Sequence, residues 1–338
     1  GASIGADSGS SGTANVSGAS ATWTDAGDMT VGDYGSGRLN ILNGAGVSTG
    51  NAHIGRRSGG DGRVDVASGA AWQVQGNLFL GQGDTGVLNI LSGGSVTDVN
   101  TTTVGASGLM TVDGGSIDTG NLLVDSGIVD LKSSNGIVDT AAVTIQGGSF
   151  NLVGGISEVI KSLDIQGGKA TLDGGTLGTS LGTEITGTGV LEGHGTVNGD
   201  VLNNGFVDGG TSNQWLAFAG DVTGSGDFGG NTRFEGSYGP GDGGADLIDM
   251  QNVVFAGSNT LLMELGGLSR GSAYDALNIT GSLNLGGLLE VSLFGSFNPL
   301  LGNAFDLLDF DPQSLIGTFD ALDLPSLAVG LLWDIADL

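Results

Sequence analysis

The residues that could carry chemistry are few and scattered along the chain. The sequence has no cysteine and two histidines, His53 and His194, which lie far apart. A transition-metal site needs clustered ligands, so we expect both histidines to be surface or corner residues. The absence of cysteine is mildly typical of an exported protein.

Carboxylates are the one type of metal ligand that becomes dense, and they do so in the last third. Calcium takes six to eight oxygen ligands, and such a set could supply them. A solvated surface is the simpler interpretation, so calcium is kept as a hypothesis, the metal ligands stay unknown, and no other cofactor is expected. The cluster comprises Asp306, Asp309, Asp311, Asp320, Asp323, Asp334 and Asp337.

Two further patterns are weak. Calcium-binding nonapeptides need tandem Gly-Gly-x-Gly-x-Asp, but Val64 stands where the segment Gly59–Val64 would need Asp, and no tandem copy follows. Tryptophans can stack on sugars, and Trp23 and Trp72 are the candidates for this role. Trp72, however, takes the place that Val47 has in another repeat, so we predict that it lies in the core.

An enzyme is not expected. Carbohydrate-active β-helices place carboxylates beside Arg, Lys or calcium on one face. Here the one basic cluster is Arg56, Arg57 and Arg63, which we expect in a corner loop. A carbohydrate-active enzyme stays the third hypothesis, and a groove with two acids about 5–9 Å apart would identify it.

Composition limits the partners. The chain has 9 basic and 36 acidic residues, for a net charge of −27. Such a chain repels nucleic acid and anionic membranes. No run of 18 apolar residues occurs, so no membrane span is expected. Sixty-nine of the 338 residues are glycine, yet 38% are hydrophobic, which favours short strands joined by tight corners over helix or disorder.

An internal repeat of about 25 residues organises the first 120 positions. Its anchors are an apolar residue followed by glycine, at Ile4, Val31, Ile54, Leu80 and Val104, spaced 27, 23, 26 and 24 residues apart. Each anchor precedes a glycine-rich corner and then an apolar-x-apolar strand such as Leu39-Asn40-Ile41. One copy cannot bury its own inner face, so copies must stack, and extra residues should fall at the corner after each anchor.

The predicted fold is all-β: a right-handed parallel β-helix (β-solenoid) with a β-rich C-terminal cap. Residues 1–210 are assigned to solenoid repeats. Residues 211–338 are richer in Leu, Phe and Asp, and are assigned to irregular final rungs and the cap. The right-handed choice rests on the absence of a strict six-residue repeat.

The repeats at 4–117 resemble those of autotransporter passengers and of PEP-CTERM surface proteins. The stretch from Tyr274-Asp275-Ala276-Leu277 through Gly302-Asn303-Ala304-Phe305 to Leu332-Trp333-Asp334 is similar to the segment ahead of the PEP-CTERM sorting signal and to the end of many passengers. The Pro-Glu-Pro motif, an apolar terminal helix and a barrel are absent from the sequence. The resemblance implies an exported protein of a Gram-negative bacterium, in a surface structure, biofilm matrix or filament.

Three function classes follow. The first is a structural subunit of an extracellular filament that assembles head to tail through the solenoid ends, because the chain begins inside a repeat and unpaired strand edges seek partners. Its partners would be other copies of itself, and matrix polysaccharide as well. The alternative is a monomeric adhesin that binds glycans or surfaces along a β-face, with the enzyme third. The predicted polymer contacts are Ile4, Val16, Leu332, Trp333 and Ile335.

Overall fold

The computed structural model describes residues 1–132, 136–154 and 159–335, and contacts divide the chain into unit 1 (Gly1–Gly182) and unit 2 (Thr183–Leu338). The predicted all-β parallel β-helix is confirmed: strands dominate both units, and the one helix in the described residues is a 3-10 turn at Pro312–Ser314. The predicted handedness and the 210/211 boundary stay predictions.

Unit 1 is a stack of rungs, each of which is one turn of the solenoid with a strand on each of three faces. Rung 1 pairs in parallel with rung 2, and rung 2 with rung 3, on all three faces. From β12 onward the strands lengthen and run around the corners, so one strand serves more than one face. The described strands are β1 (Ala2–Ile4), β2 (Ser11–Ser17) and β3 (Thr22–Asp25) in rung 1; β4 (Met29–Val31), β5 (Ser36–Leu42) and β6 (Gly46–Thr49) in rung 2; β7 (Ala52–Ile54), β8 (Gly62–Val66) and β9 (Ala71–Val74) in rung 3; then β10 (Leu78–Leu80), β11 (Gly86–Leu91), β12 (Ser95–Val104), β13 (Gly108–Asp113), β14 (Ser116–Leu131), β15 (Ile137–Val153), β16 (Val159–Ile165) and β17 (Lys169–Gly178).

The predicted anchors stack directly on one another. Ile4 pairs with Val31, Val31 with Ile54, Ile54 with Leu80 and Leu80 with Val104. Each of the five anchors ends a strand, and the inserted residues lie at the corner that follows, as predicted. A glycine is required there because Gly32, just after Val31, has a φ of 76°.

The core of unit 1 is built by alternation along each strand. In β5 the side chains of Leu39 and Ile41 are fully buried, while Asn40 lies between them on the outer face. Burying each such aliphatic side chain contributes about 1.5–3 kcal/mol. Trp72 is 1% exposed, so its predicted core position is confirmed.

Unit 2 repeats the three-faced plan with shorter strands and a more aromatic core. Its ladders are likewise parallel. Five aromatic side chains pack inside it, with the Phe234 and Tyr238 ring centroids 4.5 Å apart and Phe218, Phe228 and Phe255 around them. The described strands are β18 (Thr183–Ile185), β19 (Val190–Asn198), β20 (Val201–Asn203), β21 (Phe206–Asp208), β22 (Leu216–Phe218), β23 (Val222–Gly224), β24 (Asp227–Phe234), β25 (Ser237–Pro240), β26 (Leu247–Phe255), β27 (Thr260–Leu265), β28 (Ala276–Ile279), β29 (Leu283–Leu285), β30 (Leu288–Leu293), β31 (Leu308–Phe310), β32 (Leu315–Gly317) and β33 (Ala321–Asp323).

Candidate functional site: the C-terminal end of unit 2

The last rung of unit 2 presents free strand edges. β31 pairs with β28, β32 with β29, and β33 with β30. In the part of the chain that the structure describes, no strand lies on the other side of these three. Each therefore leaves backbone N–H and C=O groups available to a further strand.

Large apolar side chains are exposed around this rung. Leu301 is 90% exposed and Leu332 is 93% exposed. Single exposed leucines are ordinary, but a group of them marks an interaction surface. We call this group the apolar rim; it comprises Leu300, Leu301, Leu315, Ile316, Leu322, Val329, Leu332 and Ile335.

A cavity of about 820 Å³ opens beside the rim. Four core residues of the preceding rungs line it: Leu265, Leu285, Leu289 and Val291. Two strandless segments, 294–307 and 324–335, supply most of the remaining lining. We call this space the end cavity. Its size falls in the range of pockets that bind a ligand or a large side chain, about 300–1,000 Å³.

Aromatic contacts hold the wall of the end cavity in place. The Phe305 ring meets the edges of Tyr274, Phe297 and Trp333, at centroid distances of 5.4, 6.0 and 6.2 Å. The indole Nε1 of Trp333 donates to the carbonyl oxygen of Pro325 at 2.8 Å. Specific packing thus fixes the position of the wall.

The predicted contact residues at this end are placed unequally. Leu332 and Ile335 belong to the apolar rim, whereas Trp333 is half-buried in the cavity wall. All three lie beside the last rung of unit 2, and their role in polymer contact stays a prediction.

The carboxylates of this region have separate structural partners. Asp306 lies 3.3 Å from the Arg270 guanidinium, Asp320 accepts from the Gly287 amide at 2.8 Å, and Asp311 accepts from the Gln313 amide at 2.9 Å. Asp337 lies outside the described residues. Across the described residues, no three acidic or histidine side chains come together to hold a metal ion. Calcium binding itself stays a hypothesis.

The first rung of unit 1 is also incompletely covered. Ile4 is 8% exposed, but Val16 and Trp23 are only half-buried. Their stacked partners in rung 2, Ile41 and Val47, are buried. The difference arises because rung 1 is covered by a neighbouring rung on one side only in the described chain.

The two histidines each meet a glutamine. His53 Nδ1 lies 2.7 Å from Gln82 Oε1, and His194 Nε2 lies 3.2 Å from Gln214 Nε2. The His53 ring also stacks on Phe79, with the centroids 5.0 Å apart. Because these two rings cover one another, they do not form the open row of aromatic faces that a glycan platform would present.

The arginine cluster differs from the prediction. Arg56 and Arg57 lie in the corner, but Arg63 lies in β8, stacked on Arg38 of β5. Arg38 and Arg63 share the Asp65 carboxylate, at 2.7 and 3.0 Å. The placement of Arg63 in the loop was wrong, because its segment Gly62–Val66 copies the register of the strand in the preceding rung.

The surroundings of Asp65 change the pKa of its carboxyl group. Burial acts to raise the pKa of Asp65. Hydrogen bonds from Arg63 and Asn89, and the charges of Arg63 and Arg38, outweigh burial and hold that pKa below its usual value. Arg38, Arg63 and Asp65 therefore form an ion-pair network that links adjacent rungs, and we call it the brace.

A second buried carboxylate lies in unit 2. Asp275 is 1% exposed and accepts from the backbone amides of Asp246 at 2.9 Å and Glu264 at 2.7 Å. Burial raises the pKa of Asp275 to about 7, despite the two hydrogen bonds that favour its ionised form. Burial, with Asp275 nearby, also raises the pKa of the enclosed Tyr238 phenol well above its usual value.

Fold and site together define the protein as a parallel β-helix with an apolar, partly open C-terminal end. No family model matches the chain, and no curated protein matches it. It is similar to a crystal structure of a TibC-catalysed, hyperglycosylated TibA55-350 fragment, at 17% identity and a TM-score of 0.29, over 95% of this chain and 97% of that one. A TM-score this low supports no transfer of function.

The resemblance read from the sequence therefore holds for the β-helix architecture alone. The finer resemblance to PEP-CTERM proteins gains no support from these comparisons. Among the described residues, no helix has the length and apolar character needed to cross a bilayer.

Proposed function

We propose that this chain is a non-enzymatic structural protein of the bacterial cell surface or extracellular matrix, and that its copies assemble end to end. The apolar rim and the free edges of β31, β32 and β33 are the observation that carries the proposal. The rim of one copy would contact a different surface of the next copy. Joining two different surfaces in this way is heterologous, and it extends into a filament unless it closes into a ring.

The proposed extracellular location is supported by the absence of cysteine and by the resemblance of the repeats to exported Gram-negative proteins. Polysaccharide of the matrix is a further proposed partner. The adhesin alternative is not favoured, because the outward rings of His53 and Phe79 stack on each other and each covers one face of the other.

Sedimentation velocity over a range of concentrations tests the proposal. The wild-type chain should form a concentration-dependent series of oligomers. The double variant Leu332→Asp/Ile335→Asp should need at least about tenfold more protein to reach the same average mass, because burial of each leucine-sized side chain contributes more than about 1.4 kcal/mol.

Leu268→Asp provides the matched control. Leu268 is 56% exposed in the loop before β28 and does not line the end cavity. It should assemble like the wild type. A wild type that stays monomeric at every concentration, or a double variant that behaves like Leu268→Asp, would contradict end-to-end assembly through the rim.

A further inference from the structure

The brace places two positive charges around one negative charge on the outer face of unit 1. Arg38 and Arg63 lie on adjacent rungs, and both bind the carboxylate of Asp65. The side chain of Asp65 is 9% exposed, whereas those of the two arginines are 49% and 48% exposed. In a chain whose net charge is −27, the brace is therefore a place where a further anion would be attracted.

The two arginines keep hydrogen-bond donors in reserve, because each guanidinium has five N–H groups. Arg38 donates from Nε to Asn40 and from Nη2 to Asp65, while Arg63 contacts Asp65 through Nε and Nη2. Within the described residues, Nη1 of neither arginine has an acceptor, and the exposed Asp61 forms no ion pair with either of them. The pair can thus offer several N–H groups to one more carboxylate, which guanidinium groups bind well.

The column that contains the two arginines continues as an apolar row. Arg63 stacks on Val87, Val87 on Leu109, and Leu109 on Ile128. Val87 and Leu109 are half-buried, and Ile128 is 43% exposed. From Arg38 to Ile128 the column crosses five rungs, or about 19 Å at the usual strand spacing. The adjacent column carries the amide side chains of Asn15, Asn40 and Asn89.

The pairing of the strands decides which kind of polymer can lie on this face. β5 pairs with β2 and β8, β8 with β5 and β11, and β11 with β8 and β13. Because both edges of each strand are occupied, a peptide cannot add to them as a further strand. A ligand must contact side chains that repeat every 4.8 Å or so, which is about the advance of one sugar in an extended polysaccharide.

The overall charge narrows the choice of polysaccharide. A polymer with an acid on every sugar would be repelled by the acidic chain and would place carboxylates on the apolar row. A polymer with acids at intervals can place one carboxylate on the brace and an uncharged sugar on the apolar row, where its C–H groups contact Val87 and Leu109.

We propose that the brace binds a carboxylate of an acidic polysaccharide in which uronate alternates with an uncharged sugar. This inference rests on the matrix polysaccharide partner of the proposed function, and it names the binding face and the class of polymer. It does not depend on the end-to-end contact, because the brace lies in the second and third rungs of unit 1 and not at the apolar rim.

Fluorescence anisotropy of a labelled hyaluronan oligosaccharide, in which glucuronate alternates with N-acetylglucosamine, tests the proposal with the full chain. Arg38→Gln/Arg63→Gln should weaken binding by at least about tenfold, through the loss of charge-assisted hydrogen bonds. Arg56→Gln/Arg57→Gln is the matched control, because it removes the same charge from the corner before β8. An equal loss in both variants would reduce the site to general charge attraction and overturn the proposal.

Asp65→Asn gives a readout that a purely structural role would not produce. It removes the anion that competes for the two guanidinium groups, so binding should tighten by about threefold even though the brace is weakened. Binding should also weaken as sodium chloride rises, since the arginines are half-exposed. Unchanged or weaker binding by a folded Asp65→Asn variant would contradict the proposal.

Two further probes identify the source of the carboxylate. A neutral dextran oligosaccharide of equal length should not bind. A poly-glutamate peptide should bind more weakly than hyaluronan, and equal binding would overturn the polysaccharide in favour of an acidic protein segment. If hyaluronan fails to bind while sedimentation shows oligomers of the wild type, the brace site is overturned and end-to-end assembly survives. If hyaluronan binds a chain that stays monomeric, the assembly alone is overturned.

Discussion

A column of glycines lies where the second strand of each rung begins. It predicts that two similar Gly→Ala substitutions differ sharply in their effect on the free energy of unfolding. Gly62 stacks between Gly37 and Gly86, and Gly86 stacks on Gly108. A methyl group at Gly62 would overlap the carbonyl oxygen of Val31 and lie 2.5 Å from the amide nitrogen of Gly55. Because these are backbone atoms in ladders that neighbouring rungs hold, neither can move without breaking hydrogen bonds.

Gly46 is the matched comparison, one rung away. A methyl group there would lie 4.0 Å from the nearest heavy atom, Cγ2 of Thr22, and the next rung already carries Ala71 at the stacked position. We expect Gly62→Ala to lower the free energy of unfolding by about 3 kcal/mol or more, and Gly46→Ala to change it by less than about 0.5 kcal/mol.

Urea unfolding followed by far-UV circular dichroism measures the difference. With a slope of about 3 kcal/mol per molar urea, Gly62→Ala should lower the midpoint by about 1 M. Equal midpoints for the two variants would refute the close approach of backbone at the glycine column, and with it the tight corner that defines each rung.

Two electrostatic predictions concern one carboxylate in each unit. Asp275 has a folded-state pKa of about 7, raised by burial above its value of 3.8 in the unfolded chain. Between these pH values the Asp275 carboxyl group therefore takes up a proton when the chain folds. Its contribution to the free energy of unfolding is fully present below about pH 4 and is lost as the pH rises through 7. Asp275→Asn should flatten the fall in urea midpoint between pH 5 and pH 8, and an unchanged pH dependence would count against the burial. Asp65→Ala should cost about 1 kcal/mol, because Arg38 and Arg63 are half-exposed and lose their shared partner. Asp61→Ala, at an exposed position, serves as the control. Equal thermal unfolding midpoints for the two variants would contradict the proposed brace.

The repeated part of the fold could be predicted from particular residues. The repeats could be aligned on Ile4, Val31 and Ile54, because each of these residues precedes glycine and ends a strand. The spacing between them predicts a rung with three faces. Trp72 could be assigned to the core because its slot holds Val47 in another copy. The same alignment would have placed Arg63 in a strand, since Gly62-Arg63-Val64-Asp65-Val66 copies Gly37-Arg38-Leu39-Asn40-Ile41.

The end cavity could not be predicted in this way. It depends on segments 294–307 and 324–335, which have no repeat and no strand, so neither periodicity nor pairing fixes their path. Burial of Asp275 was equally hidden, because its two partners are backbone amides that no side-chain pattern reveals. The leucine-rich composition showed that the end is apolar, but not that it encloses a space.

The stacking register of the rungs is the claim on which the whole account depends, and disulfide formation tests it most directly in a chain without cysteine. Thr24 pairs with Ser48, whereas Thr97 stacks on Gln73, which in turn stacks on Ser48. Adjacent rungs lie about 4.8 Å apart, so a Thr24→Cys/Ser48→Cys pair is within the reach of a disulfide and a Thr24→Cys/Thr97→Cys pair, about 14 Å apart, is not. Under mild oxidation the first variant should lose both thiols within the monomer, and the second should keep them. Rapid bridging of the second pair, or none of the first, would contradict the solenoid described.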